Sequence, residues 1–147
     1  MEELVIGSWR IKYDEQATRL AYSRILAGGS ETCTCDSCKN FVAAREEIYC
    51  QKVLSIFKKL GIDYKKDVEV YQLDRIDKGL HLYGGWFHFV GDVENLSESN
   101  YVEVCNGFSW NFRNERQLSN KVFEGLPLVQ IDFETTVPWV IDSDEPE

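Results

Sequence analysis

Basic residues are in deficit in this 147-residue chain, with sixteen Lys and Arg against twenty-five Asp and Glu, for a formal net charge of −9. A surface of that sign repels phosphate backbones and anionic lipid faces, and the aromatic segments are not interleaved with basic clusters. Neither nucleic acid nor a membrane is therefore expected as a partner. The chain also lacks an apolar run long enough to span a bilayer. Met1-Glu2-Glu3-Leu4 has neither the basic start nor the apolar stretch of an export leader, so a cytoplasmic protein is expected. Phosphate-cradling glycine loops, a nucleophile elbow and a helical His-Glu-x-x-His are missing as well. Two histidines stand among many acidic residues, and no spacing selects an acid/base pair.

What is present suffices for a core. Apolar residues make up 44% of the chain and aromatics 13%, enough to fold without disulfide staples or an obligate partner. Length and the lack of linkers predict a single globular domain over residues 1–141, followed by an acidic tail over 142–147 that is expected to fray. Glu3 to Tyr13 reads as a first strand, and Arg19 to Leu26 as a strand or an irregular connection broken by Gly28-Gly29. From Ser37 to Leu60 the apolar positions Val42, Tyr49, Val53, Ile56 and Leu60 recur at helical steps, with Phe41, Ile48 and Phe57 widening the stripe. One long helix or two consecutive helices are expected there, capped by Asp36 or Ser37 and ended by Gly61. Short β-rich runs follow at 68–73, 80–93, 101–105, 108–112 and 128–141. Asn106-Gly107 marks a hairpin and Pro138 marks the end of the last strand or an edge. The expected fold class is α+β, a mainly antiparallel sheet of about five to six strands with the helical segment packed on it.

Five cysteines form an odd set, and three of them fall within Cys33-Thr34-Cys35-Asp36-Ser37-Cys38. Without an export signal this pattern points to thiols or metal ligands rather than a disulfide framework. The cluster runs into the start of the expected helix, where unpaired amides and the helix dipole favour thiolate, the form that binds metal. Cys33, Cys35 and Cys38 are thus candidate ligands for a metal, most plausibly zinc. His81 is the favoured fourth ligand, and His88, Cys50 and Cys105 are alternatives. Two other readings stand beside this one: cysteines packed inertly against the core, and a redox dithiol formed by Cys35 and Cys38.

A second segment, Leu80-His81-Leu82-Tyr83-Gly84-Gly85-Trp86-Phe87-His88-Phe89-Val90-Gly91, alternates as a strand covered on both faces, with a possible bulge at Gly84-Gly85. Its functional reading makes Tyr83, Trp86 and His88 the wall of a ligand pocket. Its plainer reading is a central strand rich in core aromatics, the commoner use of such side chains.

The run Cys33 to Phe41, together with Leu60-Gly61-Ile62-Asp63, Glu69-Val70-Tyr71 and the segment from Leu80 to Gly91, resembles an uncharacterised family of small bacterial proteins. The resemblance spans about Trp9 to Trp139. It implies a bacterial-type cytoplasmic protein and carries no activity, cofactor or catalytic residue with it. The leading functional expectation is a non-enzymatic binding or interaction module, with an unknown protein or small molecule as partner, whose structural cysteine cluster binds zinc. Behind it stand a thiol-disulfide oxidoreductase using Cys35 and Cys38, and a small-ligand enzyme using the His88 region.

Overall fold

The computed structural model describes residues 1–96, 100–114 and 117–147. The fold class is α+β, with seven strands and four short helices among the described residues. The strands are β1 (Glu2–Ile6), β2 (Trp9–Tyr13), β3 (Glu69–Asp77), β4 (Leu80–Asn95), β5 (Val102–Cys105), β6 (Phe108–Arg113) and β7 (Leu128–Pro138). The helices are α1 (Glu15–Ser23), α2 (Gly29–Thr32), α3 (Asp36–Ala44) and α4 (Gln51–Leu60). All described strand pairs are antiparallel, in the order β1-β2-β4-β7-β6-β5, and β3 also pairs with β4. Sixteen residues long, β4 pairs with β3 along its first half and with β2 along its last residues, so it is the axis of the sheet.

The expected first strand is two strands, reversed at Gly7, whose φ of 54° suits a residue without Cβ. The segment assigned to a strand or loop near Arg19 is instead part of helix α1. Asp14 accepts a hydrogen bond from Ala17 N, and Thr18, Ala21 and Tyr22 bury one face. Of the two expectations for residues 37–60, the single long helix is not found and two consecutive helices are. The chain leaves the helical path after Ala44 through a 3-10 turn over Arg45–Glu47, and Cys50 starts α4 afresh. Gly61 closes α4 in the left-handed region, at φ 92°, as its sequence position suggests.

The buried stripe along α3, the connection after it and α4 is Phe41, Ala44, Ile48, Tyr49, Val53, Phe57 and Leu60, while Val42 and Ile56 are only partly buried. These residues meet the odd-numbered face of β4: Phe57 lies 4.9 Å from Phe87 between ring centroids, and Phe41 lies 5.6 Å from Tyr83. Phe108 and Phe133 stack at 5.6 Å on the same side. Register between β4 and β7 runs unbroken from Leu80↔Pro138 to Val90↔Leu128, so Gly84-Gly85 makes no bulge there. The shifts fall in β3, between Gln72 and Asp74 and between Arg75 and Asp77.

The last residues are tied back onto the sheet. Glu145 accepts from Gly79 N at 2.8 Å and pairs with Arg75 at 2.7 Å, and Trp139 Nε1 donates to Ser143 O at 2.7 Å. No helix among the described residues is long and apolar enough to cross a membrane.

Candidate metal centre

The cysteine loop is held from below by a buried carboxylate. Gly29 N donates to Asp67 O at 2.8 Å, and Ser30 donates to the Asp67 carboxylate through its backbone N at 3.0 Å and its hydroxyl at 2.7 Å. Ser30 and Asp67 are both buried. A Cβ at Gly28 would lie 2.6 Å from Lys65 O, and one at Gly29 would collide with Val68 O, so the glycine pair permits this backbone approach. Arg45, itself buried, adds a second tie by pairing with Glu31 at 3.1 Å. Burial raises the Asp67 pKa above the ordinary carboxylate value, against the opposing pull of its Ser30 hydrogen bonds and the Arg45 charge.

From this anchored turn the chain passes through Cys33, which closes α2 by donating its N–H to Gly29 O at 3.2 Å, and into α3. Cys35, rather than Asp36 or Ser37, is the N-cap, and its Sγ accepts from Cys38 N at 3.4 Å. Tyr83 fixes the first turn by donating to Ser37 O at 2.8 Å. Asn40 fixes the next turn by bonding Pro138 O and Val140 N beyond β7. The Sγ atoms of Cys33, Cys35 and Cys38 all lie within 4.8 Å of one another, and the Cys33–Cys35 pair is 3.2 Å apart. Tetrahedral zinc with Zn–S bonds of about 2.3 Å sets sulfurs about 3.8 Å apart, which this cluster brackets. The three cysteines could hold a metal ion.

The thiols are differentiated. Cys35 is exposed, Cys33 half-buried and Cys38 buried. Hydrogen bonding with the Cys38 side chain, then with the Cys35 backbone and thiol, holds the Cys33 thiol below its ordinary value. Burial pushes Cys38 well above its own, and the neighbouring thiols add to the effect. A dication among the sulfurs reverses that cost, because its charge deprotonates a coordinating thiol.

The remaining candidates lie elsewhere. Cys50 and Cys105, read from sequence as free thiols and possible ligands, are joined in a disulfide, with Cα atoms 6.8 Å apart. They are separated by 55 positions, and only the docking of the start of α4 against the end of β5 brings them together. His81 is buried and is not in the cysteine group. Its Nδ1 lies 3.3 Å from Gln72 Nε2, and its Nε2 lies 2.9 Å from a Glu145 oxygen. His88 is buried with Nε2 2.9 Å from Gln130 Oε1 and its ring against Phe123.

Strand alternation puts Trp86 and His88 on one face of β4 and Tyr83 on the other, against Phe41. The three therefore do not form one wall. Trp86 instead packs on Tyr71, 6.1 Å between centroids, and donates toward Leu118 O at 3.4 Å.

Sequence reasoning missed Asp67, Ser30 and Arg45, the residues that position the cysteine loop. The available signal was Gly28-Gly29, which reads as a break but serves close backbone approach. It also missed Lys39, which lines a recess of about 390 Å³ beside Cys33 with Ser30, Glu31, Thr34 and Val42. No protein-family model, curated protein or solved structure matches the chain.

Proposed function

We propose that this chain is a non-enzymatic binding or interaction module whose cysteine cluster, Cys33, Cys35 and Cys38, holds a zinc ion at the start of α3. The observation that carries the reading is the convergence of three Sγ atoms within 4.8 Å on a loop anchored from both sides. Thiolate-only donors suit zinc or another soft ion, and the N-terminus of α3 favours the thiolate form. The experiment is elemental analysis of protein purified under reducing conditions from zinc-supplemented medium. One zinc per chain is expected, with occupancy lost on Cys33→Ser, Cys35→Ser or Cys38→Ser. Fully reduced protein that contains no metal and takes up none would overturn the reading.

One observation favours a second reading. The half-buried thiol of Cys33 and the exposed thiol of Cys35 lie 3.2 Å apart, with Cys33 held below its ordinary pKa, an arrangement suited to thiol-disulfide exchange. A metal-free cluster whose thiols reduce an added disulfide while forming their own, two thiols giving one disulfide, would move the assignment there. Cys35 and Cys38 form the competing pair within that reading.

A further inference from the structure

We propose that the metal held by the three cysteines keeps one coordination position open toward the recess beside Cys33, and that a small thiol from outside the chain fills it as a thiolate, displacing a water and releasing its proton to solvent. The cluster is then the module's ligand-binding site. This rests on the metal-holding reading above and extends it.

The argument begins with the inventory of soft donors. The chain has five cysteines and two histidines, all of them among the described residues. Cys50 and Cys105 are bonded to each other, His81 is engaged by Gln72 and Glu145, and His88 is buried beside Gln130 and Phe123. Among the described residues, the group of possible ligands around Cys33 contains the three cysteines and no carboxylate or imidazole. Zinc bound there is one donor short of the closed tetrahedron of a structural site, the arrangement in which a fourth position takes water or an incoming ligand.

The surroundings say what that ligand is. Cys35 is exposed and Cys33 half-buried, so the sulfurs are reached from solvent. The adjoining recess, of about 390 Å³, is of the size that takes a small solute. It holds two charged side chains. Glu31 is paired with Arg45 at 3.1 Å, which offsets its charge, and Lys39, a cation, is among the residues that line the recess. Three thiolates on a dication leave one net negative charge, and Lys39 compensates it for an incoming anion. In an all-sulfur donor set, a fourth soft donor is the preferred partner.

The test uses the full chain with the cluster thiols reduced by a limiting phosphine and the Cys50–Cys105 disulfide checked as intact by thiol alkylation and mass spectrometry. Co(II) is loaded anaerobically, so that its visible bands report coordination. Titration with 2-mercaptoethanol is expected to shift the ligand-field bands to lower energy and to add sulfur-to-cobalt charge-transfer intensity. The change should saturate at one thiol per cobalt, with the metal retained on gel filtration. Lys39→Gln should weaken the thiol's apparent affinity by up to about fivefold, the worth of one exposed charge pair, and leave that of imidazole unchanged. Cobalt that binds but whose spectrum ignores millimolar thiol would overturn the open position while leaving the metal-holding reading intact, as would removal of the cobalt by the thiol. A chain that takes up no cobalt would overturn both.

Discussion

Replacing Asp67 by Ala should loosen the cysteine loop and destabilise the whole fold. The carboxylate accepts from both the backbone N and the hydroxyl of buried Ser30, so its removal leaves two buried donors without that partner. Each unsatisfied donor costs about 1–3 kcal/mol, and relief from burying the Asp67 charge offsets part of the sum, leaving a net loss of about 2–4 kcal/mol. With a urea dependence of about 2 kcal/mol per M, the unfolding midpoint at neutral pH should fall by about 1–2 M.

Asp67→Asn separates charge from geometry, because the amide keeps an acceptor for Ser30 N and can donate to the Ser30 hydroxyl. Burial raises the Asp67 pKa, so the folded state binds this proton more tightly than the unfolded chain does. Its contribution is complete below the ordinary carboxylate value and is lost as pH rises through the raised one. Wild type should therefore lose stability relative to the Asn variant across that interval, and the Asn variant should keep the zinc occupancy that the Ala variant loses. An Ala midpoint within about 0.3 M of wild type, measured by urea unfolding monitored through tryptophan fluorescence, would refute the anchoring role.

Reducing the Cys50–Cys105 disulfide, or replacing both cysteines by Ser, should cost about 4 kcal/mol by loop-closure entropy; urea unfolding with and without reductant measures it, and mass spectrometry after thiol alkylation should find two protected cysteines. Phe57→Ala should cost about 3–5 kcal/mol, clearly more than Ile56→Ala, because Phe57 is buried against Phe87 and Trp110 while Ile56 is half-buried. Equal losses in chemical denaturation would place the buried face wrongly. The Glu145 carboxyl is held below its ordinary value, chiefly by the His81 hydrogen bond, so its contribution is present above that ordinary value and is lost as pH falls through the depressed one. Glu145→Gln should abolish this acid-side loss and speed hydrogen exchange at the Gly79 amide; unchanged exchange would mean the terminal contact is idle.

The parts of the fold that local chemistry determines were legible in the sequence. Asn106-Gly107 makes the β5–β6 hairpin, with Gly107 at φ 84°, Pro138 ends β7, and Gly61 ends α4. The three cysteines also converge as their spacing suggested. Helix α1 was hidden because its mean character is polar, and the decisive sign was Asp14 placed to cap Ala17 ahead of Thr18, Ala21 and Tyr22. The long-helix expectation ran through Arg45-Glu46-Glu47, where period alone could not show that Arg45 turns inward to Glu31 and Lys65 O. The disulfide, the Asp67 anchor and the docking of Glu145 on His81 join residues 55, 37 and 64 positions apart. No local spacing encodes such contacts, since tertiary packing alone brings the partners together.

Zinc K-edge X-ray absorption of the reduced 147-residue chain, without added thiol, tests the metal assignment most directly. The account predicts three sulfur scatterers at about 2.3 Å and one lighter donor at about 2.0–2.2 Å, with one sulfur lost in Cys38→Ser. A shell of four sulfurs, a shell of nitrogen and oxygen alone, or protein that retains no zinc would contradict it.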